Sequence, residues 1–261
     1  VKAVAVALAV AALAGAGLAR ADGDPASDTL VYQNAYLPYV LPSSAMSAAL
    51  NKQIAAAYAS GYRVKVAVIQ SKTDLGAIPS LFGRPSDYAS FLGQELTTVY
   101  IGPLLIVMPD GYGIYDGGRS VAAEQAVLAR LAQPASNNSN ELTTAATNAV
   151  AALLKAGALK SKDILKPYVT TLGVKAASGA LAIRYYVYDD SGFASVTVTL
   201  ERSQRAVFTT RLPSRPAGIS KVLKSSVRVP SRISLAGVRV CLVGVDATGN
   251  RSAASCKPVS A

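Results

Sequence analysis

The spacing of apolar residues changes once along this chain, at about Pro167, and that change limits the fold more than any other feature. Up to about Leu159, stripes at helical spacing alternate with short apolar runs. Ser43 or Ser44 can cap a helix that puts Met46, Leu50, Ile54 and Tyr58 on one stripe, with Gly61 as its stop. Arg63 to Gln70 reads as a strand with Val64, Val66 and Val68 on one face. Pro85-Ser86-Asp87 opens a second helix whose inner face carries Tyr88, Phe91, Leu92 and Leu96. Leu104 to Met108 is a continuous apolar run of the central-strand kind, and the turn from Pro109 to Gly113 leads into a short strand at Ile114-Tyr115. Two more helices are expected at about 120–131 and 140–155. This alternation predicts an α/β unit, a mixed sheet with flanking helices.

Beyond Pro167 the period is two. Ile183, Tyr185 and Val187 alternate with Arg184, Tyr186 and Tyr188, and Val196, Val198 and Leu200 alternate with Thr197 and Thr199. Val227 and Val229 flank Arg228, and Val238 to Val245 is a more continuous run. Turn signals stand at Asp189-Asp190-Ser191-Gly192, from Pro213 to Gly218, and from Asp246 to Asn250. Short strands at this spacing predict an all-β sandwich of about 90–95 residues. The expected organisation is a signal peptide at 1–21, an α/β domain at 22–160, a linker at 161–166 and a β-sandwich at 167–261.

The first segment reads as an address. Lys2 precedes an Ala/Val/Leu run to about Ala19, and Ala19-Arg20-Ala21 offers the small-x-small pattern of a cleavage site. No later segment is apolar over 18 residues, so no transmembrane span is expected in the mature chain. Secretion or attachment to the cell envelope follows, and with it an oxidising setting in which Cys241 and Cys256 pair. A hairpin centred between Thr248 and Gly249 sets these two residues opposite each other. Closing a 15-residue loop stabilises by roughly 3 kcal/mol in the chain-entropy treatment. The alternative of two reactive thiols lacks an activating His and a Cys-x-x-Cys spacing.

Composition removes whole classes of chemistry. The 261 residues include no histidine, which excludes Ser-His-Asp and Cys-His nucleophiles and every His-ligated zinc site. Two cysteines cannot build a four-thiolate centre. The formal net charge of +11 is unevenly placed. Residues 22–160 carry 9 basic and 10 acidic residues, whereas residues 161–261 carry 15 basic and 5 acidic. The excess concentrates in Arg202, Arg205, Arg211, Arg215, Lys221, Lys224, Arg228 and Arg232. Outside a cell, such a module can meet anionic wall polymers, lipid head groups or nucleic acid, and the alternative is a solubilising surface with no partner. Nucleic acid is the weakest of the partners, because no recognition motif is present.

Two stretches resemble known families. Residues 40–156 resemble the TPM domain family, through the helix with Leu50 and Ile54, the strand Val64–Ile69, the helix with Tyr88, Ala89 and Phe91, and the unit Gly102 to Asp110. Residues 167–259 resemble bacterial extracellular immunoglobulin-like modules. That resemblance rests on Asp189-Asp190-Ser191-Gly192 and on a final hairpin with Cys241, Asp246, Gly249, Asn250, Ser252 and Cys256. The first resemblance implies either no catalysis or a phosphatase dependent on a divalent metal such as Mg²⁺ or Ca²⁺. On that reading the acidic loop residues Asp74 and Asp110 are the catalytic and metal-binding candidates, with Asp116 a third and Lys72, Arg84 and Arg119 as cationic helpers. The second resemblance implies a binding module without chemistry, in which Asp189, Asp190 and Asp246 could hold Ca²⁺ between loops or simply shape hairpins. The favoured expectation is a non-catalytic envelope accessory or adhesion protein tethered by its basic β-domain.

Overall fold

A computed structural model describes residues 23–134, 136–177, 179–217 and 222–260. The expected signal peptide and Lys221 lie outside these residues. Among the described residues, no helix is long and apolar enough to cross a membrane.

The first unit is a four-stranded mixed sheet between two helical layers. Its elements are α1 (Pro25–Leu30), β1 (Ala35–Tyr36), α2 (Ser44–Ala59), β2 (Lys65–Val68), α3 (Pro85–Glu95), β3 (Pro103–Met108), β4 (Gly111–Asp116), α4 (Ala122–Leu128) and α5 (Ser139–Lys155). Strands β1, β2 and β3 are parallel, and β4 returns antiparallel to β3 across Pro109-Asp110. Local chemistry explains the helix ends. The Ser43 side chain accepts from the Met46 amide, Pro85 opens α3 at a position where its missing N–H is not needed, and Asn138 caps α5.

The sheet is covered on both faces. On one, Leu50, Ile54 and Tyr58 of α2 and Leu142, Val150 and Leu153 of α5 pack on Val66, Val68, Leu105 and Val107. On the other, Leu30 of α1 and Tyr88 and Leu92 of α3 pack on Ala67, Leu104, Ile106 and Met108. Strand β2 was expected to bury one face and in fact buries every residue, because helices lie on both sides. Strand β4 is also longer than the expected Ile114-Tyr115. It supports the start of α3 at very short range: a Cβ on Gly113 would lie 2.0 Å from the Pro85 carbonyl oxygen.

The second unit is two antiparallel sheets face to face. Its strands are β5 (Tyr168–Ala177), β6 (Ala180–Tyr188), β7 (Phe193–Arg202), β8 (Arg205–Pro216), β9 (Leu223–Arg228), β10 (Arg239–Val245) and β11 (Ser255–Pro258). One sheet runs β11-β10-β7-β8 and the other β5-β6-β9. The residues that alternate inward, Leu181, Ile183, Tyr185 and Val187 against Val196, Val198, Leu200, Val240 and Leu242, form the core. Strand β5 packs over β10 and β11, so the edge strands β8 and β9 share the opposite flank.

Two features of this unit depart from the sequence expectation or refine it. Pro213 was expected in a turn but lies inside β8, which continues to Pro216. An edge strand tolerates proline because one side of its backbone has no ladder partner. Cys241 and Cys256 face each other in the β10–β11 register and form a disulfide, as the hairpin arithmetic requires.

Candidate functional site

The sequence-derived acidic candidates fall apart into separate roles. Asp74 is buried, and its carboxylate is committed to its own loop. Oδ2 accepts from the amides of Gln70 and Ser71 at 2.9 and 2.8 Å and from the Ser71 hydroxyl, and Oδ1 accepts from the Tyr39 amide at 2.8 Å. The reach from Asp74 back to the Ser71 amide is half of a capping box on a 3-10 turn. Asp110 is exposed at the β3–β4 turn, in a shallow cleft with Ser86, Tyr112, Gln125 and Gln133. Neither Asp74 nor any Lys or Arg lines that cleft. Asp116 sits at the far end of β4, buried, where it pairs with Arg119 at 2.8 Å and accepts from Ser161. Arg84 is taken by Asp87. Asp74 and Asp110 thus stand in different settings, one bound to its own loop and the other in an open cleft without it.

The basic residues are placed differently. Arg202, Arg205, Arg211, Lys224, Arg228 and Arg232 are exposed and Arg215 is half-buried. None of these seven forms an ion pair among the described residues. Arg202 and Arg211 donate to uncharged oxygens, of Ser234 and Ser195 respectively. Apart from Arg232, which follows β9, they stand at the end of β7 and on the edge strands β8 and β9, and the register turns Arg211 to the outer face of one sheet and Lys224 and Arg228 to the outer face of the other.

The most unusual chemistry lies where the two units meet. Arg63 and Lys65 begin the central strand region of the first unit and are buried. Arg63 donates through Nε and Nη2 to one oxygen of Asp190, Oδ2, at 3.2 and 3.1 Å, and its guanidinium lies 4.7 Å from the centre of the Tyr100 ring. Lys65 donates to the Gln33 carbonyl at 2.6 Å and to Asn34 Oδ1 at 3.0 Å. Burial pulls its ammonium down to about 8, against the opposing pull of Asp190. Asn34 in turn donates to the Asp190 carbonyl at 2.6 Å.

The connector between the units joins the same cluster. The Arg63 amide donates to Ser161 O and the Asp163 amide to Gly61 O, so the connector is pinned to the α/β unit. Asn250 donates to the Asp163 carbonyl from the other side. One carboxylate oxygen from each of Asp163, Asp189 and Asp190 lies within 4.8 Å of the others. Burial raises Asp189 to about 7 and Asp163 to about 6, and the neighbouring Asp190 adds to both. Asp246, the third residue of the sequence expectation, is not part of this group. Its oxygens accept from the Thr248 and Asn250 amides and from both side chains, which closes the β10–β11 loop.

Sequence reasoning found Asp189 and Asp190 but missed Asp163, Arg63 and Lys65. A signal for the last two existed: charged residues inside Arg63-Val64-Lys65-Val66-Ala67-Val68 interrupt a run that is otherwise wholly apolar. A buried charge of that kind needs a partner. No protein-family model matches this chain, and no curated protein matches it.

Proposed function

We propose that this chain is an exported, non-catalytic accessory or adhesion protein of the cell envelope, held to anionic material by the flank of its β unit. In this reading the α/β unit is a TPM-type domain and the second unit an immunoglobulin-like module. The observation that carries it is the set of exposed cationic side chains on the edge strands β8 and β9 of the two sheets, none in an ion pair among the described residues. The same residues also keep the bare edges from pairing with other chains, a secondary role for charge on an edge strand. The disulfide supports export, since such bonds persist in oxidising compartments. The three-plus-four arrangement of strands supports the immunoglobulin-like reading, although here the cystine links neighbours β10 and β11 within one sheet instead of bridging the two sheets.

The test is retention of the mature protein on isolated cell walls, with anionic lipid vesicles as a second arm. Retention should fall steeply from about 0.1 M to about 1 M NaCl, as the screening length shrinks from ~10 to ~3 Å. Replacing Arg205, Arg211, Lys224 and Arg228 together by Gln should abolish it at low salt. Retention that ignores salt, or survives the fourfold replacement, rejects electrostatic tethering. Loss on walls alone identifies the polymer, and loss on vesicles alone the head groups.

A further inference from the structure

The acidic group at the junction has a surplus of charge that the protein does not neutralise. Arg63 answers Oδ2 of Asp190, Leu165 N donates to Oδ1 of Asp163, and Ser191 donates to Oδ2 of Asp189. That leaves Asp163 Oδ2, Asp189 Oδ1 and Asp190 Oδ1 fully buried with no hydrogen-bond partner among the described residues. Asp163 is 5% exposed and Asp189 3%, so neither can turn to water for compensation. An orphaned buried carboxylate oxygen is costly, and three of them in one place require a compensating group.

We propose that Asp163, Asp189 and Asp190 form a calcium site that locks the connector and the β6–β7 turn against the α/β unit. The spacing suits the ion. Two oxygens bound to one calcium at 2.3–2.6 Å lie at most about 5 Å apart, and the three carboxylate oxygens fall within 4.8 Å of one another. Magnesium, with bonds of about 2.0–2.1 Å, demands a near-ideal octahedron and gives up its waters reluctantly, whereas calcium accepts an irregular set of oxygens. Three carboxylates supply half or fewer of the six to eight ligands calcium takes, and water or second carboxylate oxygens complete the shell.

The origin of the ligands gives the site its role. Asp163 belongs to the connector and Asp189 and Asp190 to the turn after β6, while Arg63 of the α/β unit holds Asp190 from the outer side. A cation here ties the connector to the β6–β7 turn, which the Arg63–Asp190 ion pair in turn holds to the α/β unit. Its binding also offsets the burial, and the neighbouring Asp190 charge, that disfavour the ionised forms of Asp163 and Asp189.

The experiment is titration of the metal-free mature protein with CaCl2 by calorimetry, paired with thermal unfolding in EDTA and in millimolar CaCl2. One calcium per chain and a rise in the melting temperature are expected, with a smaller rise in MgCl2. Asp189→Asn should bind calcium at least about tenfold more weakly and lose the rise, since ligand charge sets affinity. The same variant should be no less stable than the parent in EDTA, because it removes one repelling charge and can keep the Ser191 hydrogen bonds. Asp163→Asn is the second variant and should behave alike. Absence of binding heat and of any melting shift would overturn the proposal. So would an unchanged calcium response in both variants, or an equal shift with magnesium.

Discussion

Replacing Arg63 by Met in calcium-free buffer removes the one cation that pairs with Asp190 among the described residues. The pair is almost dry: the Arg63 side chain is 8% exposed and that of Asp190 11%. Breaking a buried ion pair from one side typically costs about 3–5 kcal/mol, because the remaining charge is left without solvent or partner. The upper part of that range is expected here, since Asp190 also faces Asp189 and Asp163 and the loss leaves three carboxylates with no guanidinium. The reverse change, Asp190→Asn, should cost only about 1–2 kcal/mol. Arg63 then keeps the Ile101 carbonyl and the Tyr100 ring, and the repulsion with Asp189 disappears. The double variant should be more stable than Arg63→Met alone, by at least about 1 kcal/mol, because the orphaned charge is gone. Urea unfolding of the four proteins, followed by tyrosine fluorescence and by far-ultraviolet circular dichroism, measures the cycle. The two probes also report whether the units separate before they unfold. A cost below about 1 kcal/mol for Arg63→Met, or strict additivity in the double variant, would show that the pair behaves as an exposed one and would refute the reasoning.

Two further outcomes can be checked independently of the junction. Asp24 caps α1 and accepts from Ala26 N and, through both oxygens, from the Tyr88 hydroxyl; its burial raises it from 3.8 to about 6 despite those bonds. The folded state thus holds this proton more tightly than the unfolded chain, so the contribution is fully present below pH 3.8 and is lost as pH rises through 6. Asp24→Asn should therefore gain on the parent by up to about 3 kcal/mol at pH 7, the gain vanishing near pH 4, and a gap in urea midpoints that is constant with pH would contradict this. Gly113→Ala places a methyl group against backbone atoms of Pro85 and Ser86 that cannot rotate away, and should lose about 1–3 kcal/mol or more with a lower melting temperature. An unchanged melting temperature would mean that α3 does not rest on β4 so closely.

What could be read along the chain was whatever is decided within a few residues. The cap at Ser43, the helix start at Pro85 and the apolar run of β3 are local signals, and each element formed where its signal stands. The pairing of Cys241 with Cys256 was also legible, because a hairpin converts sequence distance directly into register. The first helix was overlooked despite its own local signal, Asp24 before Pro25. Strand β8 was overlooked because its inward residues are few: only Leu212 is buried, and its prolines read as a turn.

The candidate site was legible only in fragments, for a physical reason. Asp74, Asp110, Asp189 and Asp246 look alike in sequence, since each follows a strand and each suits a turn. Whether such a carboxylate is spent on its own loop or left with a buried free oxygen depends on donors that fold in from elsewhere. Asp74 meets the Tyr39 amide and Asp190 meets Arg63, 127 residues away in sequence. Sequence by itself determined an α/β unit followed by a cationic β unit, because periodicity and charge are properties of the chain. Only the tertiary structure decided which acidic residues converge. Desolvation acts on groups brought together in space, and Asp163, a connector residue flanked by Lys162 and Ile164, acquires its role from a strand end and a turn that the fold delivers to it.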